Sequence, residues 1–253
     1  MILDIQKAGV LKRASAFLLD LILLLILITG FAFGLSAITG YDSYNQKMEV
    51  ARDRYEKEYN VSFDLSEEEY NKLTDEQKAI LDKAFTAFGE DEEVAYLYNM
   101  QINLILLISS ISIFLAYFIL EFVLPLFFKN GQTVGKKIFG LALMRTDGVR
   151  LSTVSLFART VLGKYTLETM VPVAIIIMIF LGSLGITGTV VLLLLLALQV
   201  GVLIYTKTNS CIHDLLAASV VVELSSQMIF DSEEAMLAYK KMIHAEMTER
   251  AKY

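Results

Sequence analysis

Five charged side chains stand in or beside stretches that are otherwise apolar: Arg13, Asp20, Glu121, Arg159 and Asp214. Asp20 lies in LKRASAFLLDLILLLILITG, residues 11–30, surrounded by leucine and isoleucine. An unpaired carboxylate in hydrocarbon costs several kcal/mol, so such a group is either satisfied by a partner or used. Membrane-embedded acids mark ion routes, and burial that raises a carboxyl pKa permits proton exchange near neutral pH. The chemistry on offer is therefore a site for a monovalent cation or a proton. The competing reading is a buried charge network that fixes helix register and does nothing else.

Helix geometry limits the pairings. Arg13 and Asp20 are seven residues apart and share a face, but helical side chains lean toward the N-terminus, so Arg13 leans away from Asp20. A direct pair is not expected; Asp214 is the expected partner of Arg13, and Arg159 the expected cation for Asp20. Asp20 lies roughly 10 Å from the charged end of its apolar run at about 1.5 Å per residue, and Glu121 lies at nearly the same depth in the next. These two carboxylates share one layer and are the candidates for holding a monovalent cation; no other metal site and no cofactor are expected.

The elements that must position these residues are membrane helices. Of 253 residues 55% are hydrophobic, gathered in long runs rather than spread at core periodicity, with no Trp and two Pro. The expected fold is an all-α membrane protein with four transmembrane helices, a helical extracytoplasmic insertion, a small cytosolic β-hairpin and an interfacial amphipathic helix. Its segments are a cytosolic N-terminus with the first span (1–40), an acidic helical loop (41–100), the second span (101–128), a basic loop with the interfacial helix (129–165), a hairpin of spans three and four (166–206), and a cytosolic C-terminal segment (207–253). The first apolar run is too long for a signal peptide, and no convincing cleavage site follows.

Orientation follows from loop charge. Residues 41–100 carry seven Lys/Arg against sixteen Asp/Glu, whereas residues 129–164 carry seven Lys/Arg and one acid, Asp147. The positive-inside rule puts the basic loop and both termini in the cytosol and the acidic loop outside. In that loop SEEEY and LTDEQ are capping-box patterns, and Phe63, Leu73, Ile80, Leu81, Phe85 and Phe88 form a small apolar face. Its negative excess suits cations at an outer mouth or a basic protein partner.

Several motifs lead elsewhere and stop. GQTVGKK has three residues between Gly131 and Gly135, not four, with Lys137 where a phosphate-binding loop needs Ser or Thr; its glycines allow a tight exit from the second span and its lysines suit headgroup level. GFAFG, residues 30–34, spaces two glycines for close helix packing within the chain. Asp147-Gly148 between GLALMR and VRLST signals the β-hairpin, with ASVVVEL as a further strand. His213-Asp214 sits beside Ser210 and Cys211, but neighbours in sequence make no triad and no oxyanion hole is recognisable, so no enzyme is expected; Asp214 is expected to cap the helix that follows it. With Cys211 the only cysteine, no intrachain disulfide forms.

Arg13-x-x-Ala16-x-x-x-Asp20, Glu121, GQTVGKKIFGLALMRTDG, Arg159 and HDLLAASVVV, in this order, resemble the RDD family. The arginine and two aspartates of its name map to Arg13, Asp20 and Asp214. The resemblance implies a small integral membrane protein of the bacterial plasma membrane, with exchange of monovalent cations for protons suggested for some members. The chain departs from the pattern in its long acidic loop and in a basic run before His213 that is reduced to Lys207. The expected partners are the lipid bilayer, further copies of the chain, since four spans are few for a carrier, and a protein at the acidic loop; nucleic acid is not expected. The alternative function is that of a non-transporting accessory or scaffold protein, which holds a secreted or membrane partner through the acidic loop.

Overall fold

The computed structural model describes residues 5–250, so the extreme ends of the expected first and last segments, 1–4 and 251–253, lie outside the described residues. Four helices are long and apolar enough to cross a membrane: Val10–Thr39, Glu92–Phe127, Thr153–Phe180 and Gly185–Tyr205. They are the four expected spans, and their large apolar side chains point outward, as Phe17, Leu25, Leu107, Leu193 and Ile204 do. The fold is all-α apart from one two-stranded sheet.

The structure corrects two expectations. No separate interfacial helix precedes the third span: Thr153, capped by the Ser152 hydroxyl that accepts from Ser155 N, opens a helix that continues to Phe180. The helix continues through 158–170, where Arg159 and Thr160 are buried and Lys164 and Glu168 bond other elements. Pro172 stands where the π-helical winding gives way to α-helix. The other correction concerns the hairpin around Asp147-Gly148, which shrinks to a single bridge, Met144 to Arg150. Ser152 is committed to the helix cap, so VRLST supplies no strand.

Strand β1 (Leu141–Arg145) pairs antiparallel with β2 (Ser219–Glu223), Leu143 opposite Val221. Alternation serves both faces. Leu141, Leu143 and Val221 pack with Ala8, Ala16 and Leu156, while Ala142, Met144, Val220 and Val222 pack with Ile5 and Ile229. Each fully buried Leu or Val in this layer contributes about 1.5–3 kcal/mol, and three consecutive valines suit a strand covered on both sides. Ala16 belongs to the first span, so the sheet ties that helix to chain more than a hundred residues later.

The chain divides into two compact units, residues 1–27 with 114–253 and residues 28–113. In the second unit, between the first two spans, run the helices Tyr41–Tyr59, Glu67–Asn71 and Asp75–Glu90. Both capping boxes form: Ser66 with Glu69 and Thr74 with Gln77. Phe63 stacks on Phe85 at 4.3 Å and meets Phe88 edge-on, over buried Leu81 and Ala84. Arg54 and Tyr55 both bind Asp91, at 2.9 and 2.7 Å. Gly30 and Gly34 have open space where a Cβ would stand, so the expected close packing at GFAFG is not formed among the described residues.

Candidate functional site

Asp214 has no exposed surface and is the most buried charge among the described residues. It is the third residue of the short helix Ile212–Leu216, and Cys211 N–H donates to its Oδ2 at 3.2 Å, so it closes a capping box from inside the helix rather than preceding it. Arg159 donates to Oδ1 through Nε at 3.0 Å and Nη2 at 2.9 Å. Arg13 approaches Oδ2 at 3.4 Å, the pairing expected from its lean, and donates to the carbonyl of Asn209 at 2.5 Å. Burial alone would raise the Asp214 carboxyl pKa, but Arg159 and Arg13 outweigh it and hold it well below the carboxylate range.

Asp20 is satisfied without arginine. Its Oδ2 accepts from Thr133 Oγ1 at 2.5 Å and its Oδ1 from the backbone N–H of Gly135 at 2.7 Å, with Lys136 Nζ 3.9 Å away. Thr133 caps the helix Val134–Ile138, so Asp20 sits against its free N–H groups. Gly135 is required by proximity: a Cβ there would lie 2.2 Å from the Ala16 carbonyl oxygen and 2.9 Å from Asp20 Cγ. The expected Arg159–Asp20 pair is therefore replaced by Arg159–Asp214, because the backbone of GQTVGKK reaches Asp20 first.

Glu121 sits in a π-helical stretch of the second span, Phe118–Val123. Its Oε1 bonds Lys164 Nζ at 2.5 Å and its carbonyl accepts from Thr160 Oγ1 at 2.9 Å, but Oε2 is buried with no partner among the described residues. Among the described residues no contact joins Glu121 to Asp20. Lys136 feels both charges, and it is buried. Burial pushes its ammonium pKa down to about 8, against the pull of Glu121 and Asp20.

Glu168 completes the set. Its Oε2 lies 2.6 Å from His213 Nδ1, its Oε1 accepts from His213 N–H at 3.0 Å, and Gln199 bonds it as well. Gly163 lets the two helices meet, since a Cβ would fall 2.5 Å from His213 Cβ. Burial, with Arg159 nearby, keeps the His213 imidazole pKa below its usual value. Glu168 and Lys164 were not foreseen, and the reason is geometric. Nine residues are two and a half α-helical turns, which puts Glu168 opposite Arg159 on an α-helix. Residues Ala158–Met170 are π-helical, with Thr166 and Thr169 hydroxyls bonding carbonyls five residues back, and this wider winding brings both side chains to the helix Ile212–Leu216. Read at α periodicity, the sequence offers no signal for this face.

The arginine and two aspartates of the sequence pattern thus each hold a different part of one charged layer. A model of the RDD family matches residues 7–218. This chain belongs to the RDD family. No curated protein and no solved structure matches it.

For this RDD protein the layer pairs Arg13 and Arg159 with Asp214, Lys136 with Asp20 and Lys164 with Glu121, while Glu168 is held by His213. The thiol of Cys211, the ring of His213 and a carboxylate oxygen of Asp214 lie within 4.8 Å of one another. They make a poor divalent-metal set, because two arginines already occupy the carboxylate and burial raises the pKa of the thiol.

Proposed function

We propose that this RDD membrane protein carries a monovalent cation in exchange for protons, and that Lys136 is the group that makes the two compete. The observation that carries the reading is the buried oxygen Glu121 Oε2, which lacks a hydrogen bond while Lys136 stands in the field of both Glu121 and Asp20. With its ammonium pKa near 8, Lys136 gives up its proton close to neutral pH. The layer then lacks one positive charge, which Na+ or K+ supplies beside Asp20 and Glu121, and reprotonation of Lys136 returns the cation. Lys164 stays on Glu121 and Arg159 on Asp214 throughout. The same reading takes the protein to lie in a bacterial plasma membrane with both termini cytosolic and to act as a homo-oligomer.

Proteoliposomes under a pH gradient test it. Sodium or potassium flux is expected in the native protein, and Lys136→Arg, which keeps the charge but cannot release the proton, abolishes the flux without loss of folded protein. Absence of flux, or flux unchanged in Lys136→Arg, overturns the reading.

A second reading, an accessory protein that holds a partner through its acidic helices, is supported by the separate compact unit 28–113 with its own aromatic core. Deletion of 42–98 then abolishes crosslinked partner recovery while the other unit stays folded in membranes.

A further inference from the structure

Between the first span, the third and the fourth lies a cleft of about 470 Å³ with a mixed lining. Arg159, Lys136 and Gln199 line it together with Leu167, Leu192, Leu195, Leu196 and Leu203. Two polar atoms of these lining residues are buried and unpartnered among the described residues: Arg159 Nη1, a donor, and Gln199 Oε1, an acceptor. Arg159 itself is 1% exposed, and its other nitrogens are committed to Asp214. The Gln199 amide nitrogen faces Glu168, which leaves the oxygen turned away from that acid.

The acids that line the cleft do not oppose an anion there. Asp20 has both oxygens filled by Thr133 and Gly135, and Glu168 is held by His213 and Gln199. An incoming group that offers one anionic oxygen and one donor, attached to an apolar chain, satisfies both orphans and covers the leucine wall. Arg matches phosphate geometry particularly well, and leaving buried polar atoms unpaired costs more than a hydrogen bond gains.

We infer that this cleft binds one phospholipid of the bilayer, its phosphate on Arg159 Nη1 and Lys136, its headgroup donor on Gln199 Oε1, and an acyl chain along Leu192, Leu195 and Leu196. The headgroup carries an N–H or O–H, as ethanolamine and glycerol headgroups do; a choline headgroup has no such donor. The inference does not rest on ion exchange, though Lys136 belongs to both sites.

Native mass spectrometry of the full chain in non-ionic detergent tests it, by titration with phosphatidylethanolamine, phosphatidylglycerol and phosphatidylcholine of identical acyl chains, and with soluble glycerophosphoethanolamine. A one-to-one adduct is expected with the first two lipids and a weaker one with phosphatidylcholine. Gln199→Leu lowers phosphatidylethanolamine retention about fivefold, to the choline level, as loss of one hydrogen bond predicts. Leu195→Trp, which keeps Arg159, Lys136 and Gln199, weakens all three lipids. Equal retention of the three lipids, or retention of phosphatidylethanolamine unchanged in both variants, overturns the site. Glycerophosphoethanolamine bound as tightly as the lipid overturns it too, in favour of a free headgroup or phosphate.

Discussion

The backbone N–H of Gly135 donates to Asp20 Oδ1 at 2.7 Å, across a gap too narrow for any side chain on Gly135. A carboxylate in the first apolar helix is thereby answered by main chain 115 residues later. Gly135→Ala is expected to lower stability by about 1–3 kcal/mol or more, as overpacking against backbone does. Gly30→Ala, in the same helix as Asp20 but with open space around it, stays within about 1 kcal/mol of wild type. Thermal unfolding in detergent separates the two.

The Arg159–Asp214 pair is buried on both sides. Asp214→Asn removes the charge that Arg159 and Arg13 share, and breaking such a pair from one side costs about 3–5 kcal/mol. Arg13→Ala costs less, because Arg13 is the more exposed of the two arginines and its approach, at 3.4 Å, is the longer. Folded yield and unfolding midpoint give the order.

His213 gives the protein an acid-side pH dependence. Its folded pKa lies below the unfolded value of about 6.5, so the unfolded chain binds the proton first as pH falls. Stability is intact above about 6.5 and declines below it until the folded His213 protonates in turn. Glu168, Asp214, Arg159 and Lys164 surround the ring and set that lower limit. His213→Asn, whose amide keeps the donor to Glu168, is expected to flatten the slope of unfolding temperature between pH 7 and 5. A slope unchanged in the variant refutes the assignment.

In the acidic unit Ser66→Ala and Thr74→Ala each remove one half of a capping box and cost about 1 kcal/mol locally. Hydrogen exchange is expected to accelerate in 67–90 and to stay unchanged in β1 and β2.

Hydropathy made the four spans legible, since length and composition decide whether a helix suits lipid, and local spacing made both capping boxes legible. The partner of β1 was clear only as a possibility. Asp147-Gly148 signals a turn, but whether the neighbouring segment or Val220–Val222 fills the edge depends on burial that no local pattern reports. Arg13 with Asp214 followed from side-chain lean. The true partners of Asp20 did not, because a backbone N–H carries no residue-type signature. Glu168 and Lys164 stayed hidden because their helix does not wind at the period the eye applies.

That winding has a consequence for natural length variation in this segment. Loss of a single residue within 158–170 leaves every remaining residue able to hydrogen-bond as an ordinary α-helix, so the backbone tolerates it well. It also resets the angle between Arg159 and whatever follows, because the π-helical winding that aligns them is lost. A one-residue deletion there would spare the span and unseat Glu168 from His213, so a chain shorter by one residue in this stretch would differ in wiring while every other residue stayed the same.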